Sequence, residues 1–231
     1  MNSKSKSLLT FLILLIVIPF IVIGGSIIFR EKHYSFIAVC IAILSCLPLF
    51  YAFERKNNTS KELTVLAVMI AFSVIGRFIF AFIPGFKPVT AITIICAVWL
   101  GKEAGFVVGS LSAIVSNMYF GQGPWTPFQM FTWGLIGFIA GILSKPLQKS
   151  KILLCIYGAI SGIMYSAILD LWSTIWADNY INIARYLTTF ISSLPTTIEY
   201  VVSNIIFLLL LNRPFGKKLI SFGVITEFII T

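Results

Sequence analysis

Two unbroken apolar runs near the start of the chain, Leu8 to Phe29 and Tyr34 to Phe53, do most to limit what this sequence can become. A helix of roughly 20 apolar residues, rising 1.5 Å per residue, crosses the ~30 Å hydrocarbon layer of a bilayer and satisfies its backbone polar groups internally. A water-soluble fold has no use for such runs. Composition agrees: 58% of residues are hydrophobic and 11% charged, where soluble domains carry about a quarter charged. The runs lack the two-residue alternation that separates the lipid face of an outer-membrane barrel from its lumen. The sequence therefore specifies an all-α integral membrane protein.

Lys4 and Lys6 precede the first run, as in a secretory signal peptide. The run is about 22 residues long, however, against the 7 to 15 of a signal core, so it is expected to remain as a helix. The second run leads into a polar linker, Glu54 to Glu62, rich in Asn, Ser and Lys. Six further apolar segments follow, at about Leu63–Ile83, Pro88–Leu100, Ala104–Phe120, Phe128–Ser144, Ile152–Trp172 and Pro195–Leu211. The second of these, about 20 Å as a helix, is too short to span alone and is expected to sit among neighbours. The expected division is residues 1–61 as two N-terminal transmembrane helices with a basic linker, 62–212 as a six-helix membrane core, and 213–231 as a cytoplasmic tail.

The net charge of +9 does not point to nucleic acid, because the basic residues lie between apolar runs and form no stripe with interleaved aromatics. They read as topogenic. With eight spans, Lys4, Lys6, Arg55, Lys56, Lys61, Lys102, Lys145, Lys149, Lys151, Arg213, Lys217 and Lys218 fall on one side, and Arg30, Lys32, Lys87 and Arg185 on the other. The positive-inside rule then places both termini in the cytoplasm. Cys40, Cys46, Cys96 and Cys155 all sit in apolar segments without CxxC pairing, which suits buried thiols better than a disulfide framework or a metal site.

On this topology the outer loops, Pro84–Thr90, Asn117–Gln129 and Trp172–Pro195, hold most of the polar and aromatic residues that are not topogenic. Trp125, Trp133, Trp172 and Trp176 cluster there with Asn117, Gln122, Gln129, Asp170, Asp178 and Asn179. An interfacial aromatic belt is one account. A ligand pocket with aromatic walls and a few polar anchors fits the one-sided mixture better. The segment GQGPWTPFQ, Gly121 to Gln129, fixes a turn through its glycines and prolines; it either presents Trp125 and Gln129 rigidly to a ligand or is an ordinary interhelical turn. Among ionisable residues within spans, Arg77 either snorkels outward, pairs with Glu199 or Asp170, or meets an anionic substrate group.

Small residues mark close helix contacts: Ala67 and Ala71 on the third span, Gly105, Gly109 and Ala113 two spans later, and Gly134, Gly137 and Gly141 on the next. They serve either internal packing or a partner membrane protein. His33 is the one histidine and no GxxxxGK[ST] loop is present, so no Ser-His-Asp set, HExxH motif or P-loop can be assembled. No catalytic residue, metal or cofactor is expected. Uphill transport would need another subunit or an ion gradient.

The run from Ala67 to Gly141, with GFKPVTAI after the first core helix, EAGFVVGSLSAIVSN in the third and GQGPWTPFQMFTWGLIGFIAG leading into the fourth, resembles the substrate-binding S components of energy-coupling factor (ECF) vitamin transporters. The likeness covers about Glu62 to Asn212, and the first two helices are an addition to the family's six-helix core. It implies capture of a vitamin near the outer face, and partnership with a transmembrane coupling subunit and two cytoplasmic ATP-binding subunits. It further implies docking to the coupling subunit through an AxxxA pair, matched by Ala67 and Ala71. It places the vitamin site in the outer loops and outer helix ends, where Lys87, Asn117, Gln122, Trp125, Gln129, Trp133, Asp170, Trp176, Glu199 and Asn204 fall. The pattern is most similar to S components for cobalamin or related corrinoids. An ion-coupled transporter working alone and a membrane enzyme acting on lipid stand as alternatives.

Overall fold

The computed structural model describes residues 12–18, 20, 60–178 and 180–221. The expected pair of N-terminal helices lies outside these apart from a π-helical turn at Ile13–Val17, and so do Cys40, Cys46 and the end of the tail. Eight α-helices follow among the described residues: α1 (Ser60–Ile79), α2 (Val89–Leu100), α3 (Lys102–Phe120), α4 (Thr126–Ile142), α5 (Ser144–Lys149), α6 (Lys151–Asp178), α7 (Ile183–Ser192) and α8 (Leu194–Ser221). Of these, α1, α6 and α8 are long and apolar enough to cross a membrane, and α2 and α4 are shorter apolar helices.

The short α2 sits at the centre. All of its residues except Trp99 are buried, and it packs against α1, α3, α4 and α8. A helix that is apolar on every side has to be enclosed, which is why a segment too short to span alone is stable here. Gly101 turns the chain from α2 straight into α3 at φ 100°, a left-handed conformation that side chains with a Cβ resist.

α3 and α4 meet at near-backbone distance. A Cβ on Gly109 would lie 2.5 Å from the Trp133 carbonyl oxygen, and one on Gly134 would lie 2.5 Å from Ser110 Oγ. Gly105 and Gly137 are pressed against each other in the same way, and Gly141 against Lys102. The glycines of the two helices thus serve internal packing. Ala67 and Ala71 differ: both are exposed on α1.

Two helices were not expected. α5 turns the corner between α4 and α6, with Gln148 Nε2 donating to the Val98 carbonyl at 2.6 Å. α7 occupies the stretch read as an outer loop; Asn182 caps it by accepting from Arg185 N–H, and Arg185 pairs with Asp178 at 2.7 Å. α6 also runs two turns beyond Trp172, so Trp172 and Trp176 stand on a helix. α8 passes through Pro214 and continues to Ser221.

Candidate ligand-binding site

α1, α3 and α6 end, and α2, α4 and α8 begin, at one end of the bundle. There the α1–α2 connection is tied to α8 by its backbone: Gly85 N–H donates to Glu199 Oε2 at 2.8 Å, and Lys87 N–H donates to Ser203 Oγ at 2.9 Å, whose hydroxyl returns a bond to the Lys87 carbonyl at 3.0 Å. This pinning carries the Lys87 side chain over Tyr200, 4.9 Å from the ring centre, and Tyr165, 5.9 Å away. Its Nζ donates to the Pro84 carbonyl. Burial, reinforced by the charge of Arg77 and opposed by Glu199, pushes the Lys87 ammonium down to about 7.

Lys87 opens into a cavity of about 380 Å³ whose other lining comes from Trp125 and Gln129 at the start of α4, Tyr165 to Trp172 on α6, and Ser193, Thr196 and Tyr200 at the start of α8. Its two walls differ chemically. On one, Asn117 Nδ2 donates to Gln129 Oε1 at 2.7 Å and to Thr126 Oγ1 at 3.0 Å, and Gln129 Nε2 donates to the Tyr165 hydroxyl at 3.2 Å. Arg77 stands behind them, donating to Asn117 Oδ1 at 2.8 Å and to Ser116 Oγ, with its guanidinium over the rings of Phe120 and Trp133. On the other wall, Asp170 Oδ2 accepts from Ser193 Oγ at 2.6 Å and Ser166 Oγ at 3.4 Å. Thr197 Oγ1 donates in turn to Ser166 at 2.6 Å.

Aromatic faces complete the site. Tyr165 stacks on Trp133 at 4.9 Å, and Trp133, 1% exposed, anchors its indole N–H on Thr90 Oγ1 at 3.1 Å. Trp125, Trp172 and Trp176 form a chain of ring contacts at the mouth. A larger groove of about 890 Å³ lies at the opposite end between α1 and α8, lined chiefly by apolar residues such as Val68, Phe72 and Phe215. Polar groups converge on the smaller cavity, which is the mark of a small-molecule site.

Of the residues expected from sequence, Lys87, Trp125, Gln129 and Asp170 line this cavity, and Asn117 and Trp133 form its buried backing. Gln122 sits in the exposed α3–α4 connection, bonded to the Ile114 carbonyl and to Thr126. Trp176 is 51% exposed at the rim. Glu199 holds Gly85, and Asn204 bonds the Gly158 carbonyl at 2.9 Å where α6 meets α8. Arg77 hydrogen-bonds neither Glu199 nor Asp170. Sequence reasoning missed Tyr165, Ser166, Ser193, Thr196 and Tyr200. The available signal was the four-residue spacing of Ser166 with Asp170 and of Thr196 with Tyr200, which puts each pair on one helix face.

A family model described as "ECF-type riboflavin transporter, S component" matches residues 57–214, a stretch that contains every residue of the cavity. The description names riboflavin, and the cobalamin specificity expected from the sequence finds no support in it. No curated protein and no solved structure matches the chain.

Proposed function

Because the chain belongs to the S-component family of ECF-type riboflavin transporters, we propose that its cavity captures a flavin-type vitamin at the outer face of the membrane for import. The observation that carries this is the family match over the whole cavity. The cavity's chemistry supports it: a flavin pairs a flat three-ring system with a pyrimidine edge and a polyhydroxyl chain. The aromatic faces of Trp125, Tyr165 and Trp172 suit the rings, the donors of Gln129 and Lys87 suit ring carbonyls, and Asp170 with Ser166 and Ser193 suits a hydroxylated chain. A volume of about 380 Å³ lies low in the ~300–1,000 Å³ range of small-molecule pockets. A corrinoid, with its large macrocycle, would extend well beyond this volume.

In this reading the cavity end faces outward and the end bearing Lys102, Lys145, Lys149, Lys151, Arg213 and Lys217 faces the cytoplasm. S components of ECF transporters work with a transmembrane coupling subunit and ATP-binding subunits, and the exposed Ala67 and Ala71 on α1 offer the close-approach face for the coupling subunit. The family is one of transporters, and no catalytic role is assigned. Reconstitution into proteoliposomes with a coupling subunit and its ATPases tests the proposal: labelled riboflavin should accumulate only with ATP. Ala67→Trp with Ala71→Trp should abolish assembly and uptake while leaving binding intact. Uptake by the chain alone, driven by an ion gradient, would overturn it in favour of a self-sufficient carrier.

A further inference from the structure

The hydrogen-bonded chain behind the cavity has a direction, and that direction follows from Arg77. A guanidinium has donors and no acceptor. The Asn117 atom 2.8 Å from Arg77 Nη1 must therefore be its carbonyl oxygen, which turns the Asn117 NH₂ toward Thr126 and Gln129. The Gln129 atom meeting that NH₂ at 2.7 Å must in turn be its oxygen. The Gln129 NH₂ is then left to donate to the Tyr165 hydroxyl, whose oxygen is the acceptor in that bond. Among the described residues the Tyr165 hydroxyl donates to no protein acceptor, and Tyr165 lines the cavity. Reversing any one amide would set NH₂ against NH₂ or oxygen against oxygen inside a dry interior, where unmade bonds are costly. Aligned bonds in such a chain also polarise one another.

We propose that Arg77 sets the polarity of the cavity's inner wall. Acting through Asn117 and Gln129, it obliges Tyr165 to offer its proton to the ligand. The bound molecule must place an acceptor there, and on the flavin reading above, on which this inference rests, that acceptor is a ring carbonyl or ring nitrogen. Arg77 is a positioning residue: the network separates it from the cavity, and it acts on the ligand through three intervening side chains. Lys87, whose ammonium is also donor-only, stands near the same tyrosine and reinforces the sign. The opposite wall, where Asp170 accepts from two serines, has the reverse preference. The cavity thereby discriminates the two ends of its ligand.

The test compares binding of riboflavin with binding of its 2-thio and 4-thio analogues, in which a weakly accepting sulfur replaces one carbonyl oxygen. The wild-type chain should prefer riboflavin to at least one analogue by roughly tenfold. In Asn117→Asp the new carboxylate only accepts; Gln129 must turn its NH₂ inward, Tyr165 then donates to Gln129 Oε1, and the preference should collapse to about twofold or less. Gln129→Glu, nearly isosteric, should collapse it by an independent route, whereas Arg77→Lys, still a donor-only cation, should keep it. The ratio is the readout because simple loosening of the fold weakens all three ligands together. An unchanged ratio in both Asn117→Asp and Gln129→Glu, with riboflavin still bound, would overturn the polarity relay alone. A wild-type chain that binds none of the three flavins would overturn the functional reading, and the relay's ligand with it.

Discussion

The cavity wall backed by α3 and α4 is buried and knit by glycines, whereas the wall built on α6 and α8 is knit by hydroxyls and has the exposed α7 packed outside it. On the first, Gly109 and Gly134 bring backbones together, and the polar residues Ser116, Asn117 and Thr132 are buried. On the second, α7 contributes no buried residue at all, and its apolar side chains Ile183, Leu187 and Ile191 face outward in the pattern of a helix lying at a membrane interface. Side chains locked by packing hold a precise geometry, and elements with few buried contacts are the ones that open at low cost. On the proposed flavin function the buried wall would read the ligand's ring, and α7, with no buried residue, is the element that would yield at least cost as a ligand enters.

The largest effect expected from this contrast is on stability. Gly109→Leu drives a side chain into the Trp133 backbone, and overpacking of this kind should destabilise by about 3 kcal/mol. Leu187→Ala on α7 should stay within about 0.5 kcal/mol. Thermal unfolding of both in detergent checks this, and equal losses would break the comparison. Next comes affinity: Gln129→Ala should weaken flavin binding by ~1.4 kcal/mol or more, tenfold, with calorimetry as the measure.

The pH dependence is smaller. The Lys87 ammonium, ordinarily near 10.5, is pushed down to about 7, so the unfolded chain binds more protons than the folded one between those values. Folding stability should therefore rise with pH across that window. Flavin affinity should fall a few-fold as pH passes upward through about 7 and Lys87 loses the proton it donates. Lys87→Met should flatten both trends; a persisting slope would assign the titration elsewhere. Smallest is Ser193→Ala, which removes one hydroxyl from the α6–α8 wall and should cost about 0.5 kcal/mol in affinity, roughly twofold.

Much of the site was legible because position along a span is legible. Because successive helices run back and forth, their alternate ends lie together, and Lys87, Trp125, Gln129 and Asp170 gather there. What the sequence could not reveal was which polar residues answer to protein and which to a ligand. Asn204 and Glu199 look like anchors from their spacing, yet one holds the Gly158 carbonyl and the other the Gly85 amide. Tyr165 and Ser166 were silent because hydroxyls inside apolar runs barely alter hydropathy. α7 was overlooked although Ile183, Leu187 and Ile191 recur every four residues after the Asn182 cap, because a ten-residue helix is too short to register as an apolar span. The three helices long enough to span, α1, α6 and α8, followed from apolar length, and the enclosure of α2 from its being too short to span.

Fluorescence titration of riboflavin with the purified, detergent-solubilised chain tests the central claim most directly, since stacking against Tyr165 and the tryptophans should quench the flavin. The account predicts saturable quenching at one flavin per chain, undisturbed by excess cobalamin. Unquenched flavin in the presence of well-folded protein, or displacement of flavin by cobalamin, would contradict it.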